Sequence, residues 1–252
     1  MPYTEFFSDR RSIRNYSSRA VPQEMIDEML EEASHAPTCG NMQLYSVVVT
    51  RNPEGKAALA PSHFNQPMVT SCQAVLTFCA DFNRFTHWCA MSGADPGYDN
   101  FQSFVSAMLD TVIFAQQFCT IAELRGLGTC YLGTTTWNAP QIAETLELPP
   151  MVVPVITVTL GYPDAPGEVS DRLSIDAIIH REKYNDYDDE SVHWYYSAKE
   201  QLPESKQFVE ENGKPSLAHV FTDVRYPRKA NEEFSAIFYQ FLESAGFHWP
   251  AK

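Results

Sequence analysis

Basic residues are scarce in this chain. Against 32 aspartates and glutamates, its 252 residues include 18 lysines and arginines, for a formal net charge of −14. So acidic a chain excludes nucleic acid as its main partner, because phosphate backbones require a basic face. Cysteine pairs are missing too. Cys39, Cys72, Cys79, Cys89, Cys119 and Cys130 contain no C-x-x-C, so the six read as reduced, mostly buried thiols and not as a disulfide frame or zinc site. His87 stands near Cys89 with no second ligand pair at zinc spacing, and no metal is expected. No apolar run approaches the roughly 18 residues of a membrane span. The opening Met1-Pro2-Tyr3-Thr4-Glu5-Phe6-Phe7 lacks the apolar stretch of a secretory leader, which makes a cytoplasmic protein the expectation. Repeats and low-complexity tracts are absent as well.

What is present is a globular composition, 44% hydrophobic and 13% aromatic, with length for one large domain or two small ones. Within the acidic chain one heptapeptide stands apart: Arg10-Arg11-Ser12-Ile13-Arg14-Asn15-Tyr16. If extended, Arg10, Ser12 and Arg14 alternate onto one face; if helical, Arg10 and Arg14 still share a face. Either way two guanidinium forks and a hydroxyl can converge on one anion, and planar bidentate donors suit phosphate. Taken alone, the heptapeptide reads more readily as a solvated basic turn.

Periodicity predicts a short helix over 2–9 with Phe6 and Phe7 inward. A clearer helix opens at Pro22, carries Met25, Ile26, Met29, Leu30 and Ala33 on one side, and stops by Pro37. A strand follows at 46–50. Residues 51–55 read as a turn with a short helix after it, and 73–80 as a central strand. Residues 81–100 read as an irregular excursion. Residues 101–125 form the longest helical pattern, apolar nearly all round and therefore destined for a core or a subunit interface. A brief strand at 130–133, a helix from Asn138-Ala139-Pro140 and a strong strand at 152–160 come next. Residues 164–197 are polar, acidic and aromatic with few periodic segments, before a final amphipathic helix at about 231–243. The order implies α+β, one mixed sheet with helices packed on it.

Three further motifs join the heptapeptide. Ala36-Pro37-Thr38-Cys39-Gly40-Asn41-Met42-Gln43 is a loop of small donors. Arg125-Gly126-Leu127-Gly128-Thr129-Cys130-Tyr131-Leu132-Gly133 offers glycines that let backbone approach a ligand. It follows a helix and lacks G-x-G-x-x-G, so it is no dinucleotide fingerprint. Gly167-Glu168-Val169-Ser170-Asp171-Arg172-Leu173 places an arginine beyond the last strong strand.

In this order the motifs resemble the FMN-dependent nitroreductase family, in particular its larger NADPH-preferring nitroreductase and flavin reductase group, from about Phe6 to Arg181. The resemblance implies a nitroreductase-like, mainly antiparallel mixed sheet flanked by helices. It also implies an intertwined homodimer with a C-terminal extension: an FMN-binding core over 1–163, and a 164–252 excursion and tail that completes the domain and wraps the partner subunit. Arg10, Arg11, Ser12 and Arg14 would hold the FMN phosphate and ribityl side. Thr38, Cys39, Gly40 and Asn41 would meet the isoalloxazine, Gln66 would reach the ring, and Tyr131, Leu132, Gly133 and Thr134 would present backbone near N5. Arg172 matches the arginine of the group's Lys-x-Arg pair, while Ser170 stands where lysine is expected, one charge fewer. The implied chemistry is ping-pong transfer from NADPH (or NADH) through FMN to a small-molecule electron acceptor, with no catalytic side chain. The acceptor would be a nitroaromatic, a quinone or a flavin. Alternatives are a flavin reductase supplying reduced FMN to a partner, and a non-catalytic flavin-binding regulator. Arg225, Arg228 and Lys229 are candidates for the NADPH 2′-phosphate, or a solvated basic turn. Trp194, Tyr195 and Phe221 would stack on an aromatic substrate or pack in the core.

Overall fold

The computed structural model describes residues 3–249. In chain order the helices are α1 (Tyr3–Ser8), α2 (Gln23–Ala33), α3 (Pro53–Leu59), α4 (Pro67–Ser71), α5 (Asn83–Met91), α6 (Phe101–Leu124), α7 (Ala139–Thr145), α8 (Asp189–Gln201), α9 (Pro203–Glu211), α10 (Leu217–Val220) and α11 (Arg228–Ser244). The strands are β1 (Tyr45–Thr50), β2 (Ala74–Asp81), β3 (Gly128–Leu132) and β4 (Val152–Gly161). They form one sheet in the order β1-β2-β4-β3, antiparallel at each pairing. β2, read as central from its unbroken apolar run, is buried along its whole length. Pro154 falls opposite Cys79, where the β2–β4 register shifts. A proline has no ladder donor, and a bulge is where an inner strand accepts one.

Two compact units make up the chain: residues up to Glu168 together with those from Phe234 onward, and Val169 to Glu233. In the first, α6 and α2 cover one sheet face. Ile26, Met29, Phe114, Phe118 and Ala122 pack with Leu76, Phe78, Val158 and Leu160, and Tyr45 stacks on Phe114 with centroids 4.2 Å apart. Leu59, Val69 and Ile142, from α3, α4 and α7, pack with Val75, Cys130 and Leu132 of β2 and β3. At one end of the sheet Leu242 and Phe247 join Phe82, Phe104 and Val153.

Several expectations are corrected. α6 is long and apolar enough, by length and composition alone, to cross a membrane, contrary to the reading that no stretch qualifies. Its seat against the sheet is that of a core helix. Its apolar circumference divides into that buried side and a flank where Leu109, Val112 and Ile113 are exposed. The supposed irregular excursion contains α5. α3 starts at Pro53 itself because Asn52 caps the Gly55 N–H and Pro occupies the first turn. Phe7 and Cys39 are exposed.

In the second unit, α8 rises from the stretch expected to be aperiodic. It has no buried residue, so no apolar stripe announced it; a capping box between Asp188 and Ser191 starts it. Trp194 is exposed and does not pack in a core. Tyr187 donates its hydroxyl to the Ala177 carbonyl at 2.7 Å, and Arg225 lies over the Phe208 ring at 4.4 Å.

Candidate active site

The arginine segment is seated from below by packing. Ile13 is buried, and its N–H donates to the Thr129 carbonyl at 2.9 Å. A Cβ on Gly128 would stand 2.6 Å from the Ile13 side chain. This glycine therefore makes room for a protein side chain, and the reading of it as a point of ligand approach is corrected. Gly161 does the same for the Tyr16 ring, whose hydroxyl lies 2.7 Å from Thr159 Oγ1. On the far side Asp164 N–H donates to the Asn15 carbonyl at 3.1 Å. The chain is thus fixed between β3 and the end of β4.

Fixing the backbone decides where the cations go. Arg10 pairs with the Glu123 carboxylate at 3.3 Å, and Thr129 Oγ1 donates to that same carboxylate at 2.7 Å. Arg11 donates to the Asp9 carbonyl at 2.9 Å and the Gly167 carbonyl at 3.4 Å. Arg14 is exposed and makes no hydrogen bond or ion pair among the described residues; neither does the Ser12 hydroxyl. Burial pushes the Cys130 thiol up, while Arg14 and then Arg10 pull against it.

Thr38 to Leu44 carries Gly40, Asn41 and Gln43 at φ of 55°, 56° and 54°, a left-handed region costly for residues with a Cβ. Cys39 N–H donates to Asp110 Oδ1 at 2.8 Å and Leu44 N–H to Asp110 Oδ2 at 3.3 Å. Thr38 Oγ1 is shielded from solvent with no hydrogen-bond partner. Partial desolvation and then the Asp110 charge push the Cys39 thiol upward.

A third segment ends at Gln66, which is half-buried. Just before it, His63 is fully buried, with Nδ1 2.8 Å from Thr134 Oγ1 and Nε2 unpartnered. Burial pushes its pKa from 6.5 down to about 4. Asn138 Nδ2 donates to the Ser62 carbonyl at 2.7 Å. These contacts bring Thr134 and the Gln66 segment together. Leu132 is core, Gly133 is exposed, and the Tyr131 hydroxyl, raised by burial, donates to Gln116 Oε1 at 3.3 Å.

Arg172 lies in the second unit, exposed, donating to the Ser170 carbonyl at 3.2 Å and the Asp171 carbonyl at 2.8 Å. Lys199 pairs with the Asp171 carboxylate at 2.8 Å. Arg228 and Lys229 make exposed i,i+4 pairs with Glu232 and Glu233.

Three residues around these segments escaped the sequence reading. Asp110 had a signal, an acid amid the long apolar run of α6. Arg84 and His63 had none, because the groups their side chains hydrogen-bond lie 38–41 and 71 positions away.

The chain has relatives. The model of the Nitroreductase family matches residues 8–162. A Cr(VI) reductase of Pseudomonas sp. (strain G-1) is 30% identical over 181 residues, covering 72% of this chain and 74% of the relative. An FMN reductase (NADPH) of Bacillus subtilis is 29% identical over 191 residues, covering 75% and 77%. A crystal structure from Bacteroides fragilis is 50% identical, covers 96% of this chain and 99% of its own, and superposes with a TM-score of 0.95. The matched span runs from the end of α1 through the arginine segment to the close of β4, and on that ground the chain belongs to the nitroreductase family.

Proposed function

We propose that this protein is an NAD(P)H-dependent FMN oxidoreductase that delivers two electrons to a small-molecule acceptor such as a nitroaromatic, a quinone or a flavin. The observation that carries the reading is the donor set left over once the protein has satisfied itself. Among the described residues the Arg14 guanidinium and the Ser12 hydroxyl make no hydrogen bond or ion pair, and Thr38 Oγ1 is shielded without a partner. A phosphate at one end and a polar ring edge at the other match that chemistry.

When bound, FMN would supply the hydride chemistry, accepting from a nicotinamide and passing electrons on. The chain's own part is positional. Ser12, Arg14 and Arg10 would hold the phosphate, with Arg11 buttressing the segment through the Asp9 and Gly167 carbonyls. Thr38, Cys39, Gly40 and Asn41 would line the ring, joined by Gln66 and the backbone of Tyr131 to Thr134. Arg172 is assigned to the phosphate by its motif alone, and Arg225, Arg228 and Lys229 to a nicotinamide 2′-phosphate by charge alone.

The exposed apolar flank of α6, Leu109, Val112 and Ile113, is the surface assigned to a homodimer, with the 164–252 segment wrapping the partner. The six free thiols suit a reducing, cytoplasmic compartment.

Initial rates test the reading. NADPH varied against a nitroaromatic should give parallel double-reciprocal lines, and no turnover with any acceptor would overturn it. A second reading, release of reduced FMN to a partner, draws on the Bacillus FMN reductase named above. A markedly higher kcat/KM for free FMN than for nitroaromatics would favour it.

A further inference from the structure

The segment from Thr38 to Leu44 holds three residues at positive φ within four positions, two of them not glycine. Left alone, such a backbone relaxes. Two charged side chains oppose that relaxation. The Asp110 carboxylate, buried to 2% exposure in the middle of α6, accepts the Cys39 and Leu44 N–H groups on its two oxygens. Arg84, at the start of α5, donates to the Gln43 carbonyl and, at 3.3 Å, to the Tyr45 carbonyl. Arg84 is itself held, because its N–H donates to Asp81 Oδ1 at 3.2 Å and its guanidinium to Ser46 Oγ at 3.4 Å. The carboxylate takes the loop's donors and the guanidinium its acceptors. Among the described residues neither side chain is paired with another charge except at the 4.0 Å Arg84–Asp81 approach.

We infer that Asp110 and Arg84 are positioning residues for the flavin: together they lock the 38–44 loop in its left-handed shape before the cofactor arrives. The proposal rests on the reading that this loop meets FMN. Burying a carboxylate among Phe and Ala side chains is costly unless its oxygens are used, and here the use is two backbone donors of one loop. Preorganising donors lowers the ordering cost of binding.

The test uses the full chain and two variants, Asp110→Asn and Arg84→Gln; the second lies on the surface and should leave the core intact. Asparagine retains one acceptor but turns an N–H₂ towards the other loop donor. Amide hydrogen exchange is followed with and without FMN, and the FMN dissociation constant and flavin midpoint potential are measured for each protein. The expected result is about tenfold faster exchange at Cys39 and Leu44 in Asp110→Asn, with unchanged protection in β2 and β4. FMN should bind about tenfold more weakly with a displaced potential, and Arg84→Lys should recover most of what Arg84→Gln loses. Unchanged loop exchange in both variants would overturn the clasp. If FMN protects the loop in the parent chain yet binds the variants equally well, the positioning role is wrong. If FMN does not protect the loop even in the parent chain, the assignment of this loop to the flavin fails and takes the proposal with it.

Discussion

The arginine segment and the 38–44 loop lie in the same unit and are assigned to the same ligand, but they are held by different physics. The arginine segment is seated by volume: Ile13 and Tyr16 fill spaces that Gly128 and Gly161 leave open. The 38–44 loop is seated by charge, through Asp110 and Arg84, and the 60–66 segment by the neutral His63–Thr134 pair. Packing is insensitive to pH and salt, whereas polar seats are not. The arginine segment should therefore survive conditions that loosen the rest of the site.

Acid should separate the packed seat from the polar 60–66 seat most. His63 has a pKa near 4 in the fold against 6.5 when exposed, so between these values the unfolded chain binds the proton and the native chain does not. Stability therefore falls as pH drops from about 6.5 to about 4, by on the order of 3 kcal/mol from this residue. Urea midpoints across that range should show a component that His63→Gln removes. An identical slope in the variant would break the contrast.

Next in size is the packed seat itself. Gly128→Ala drives a methyl into Ile13 and should cost about 2 kcal/mol. A second change, Ile13→Ala, should interact with it, giving less than the sum of the two losses. Strict additivity in denaturant melts would mean that Gly128 does not serve Ile13.

Arg14→Ala should leave stability nearly unchanged and weaken FMN by about tenfold or more, the scale of a lost charged hydrogen bond. Fluorescence quenching in an FMN titration reads it. The smallest effect concerns thiols. Cys72, Cys79 and Cys119 are pushed by burial to about 11, 12 and 12 and should resist maleimide. Cys39 alone should label in the native chain, slowly, and faster by a few-fold in Asp110→Asn because its thiolate loses an adjacent negative charge.

The same contrast explains what the sequence made legible. β2, β4 and α6 were readable because unbroken apolar runs are burial signals. The arginine segment was readable because three guanidiniums in an acidic chain are chemically conspicuous. α8 was not, since a helix that buries nothing has no period to read. Gly128 was visible but misassigned, because a glycine does not say whether a ligand or an isoleucine needs the room. Arg84 and His63 were invisible, since their meaning comes from backbone carbonyls and a hydroxyl far along the chain. Asp110 lay in plain view, and an acid stranded in an apolar helix was the clue to a buried acceptor.

The absorbance spectrum of the purified protein, recorded before and after anaerobic addition of NADPH, tests the central claim most directly. The account predicts flavin bands that disappear on reduction. A colourless protein that gains no flavin spectrum when incubated with FMN would contradict it.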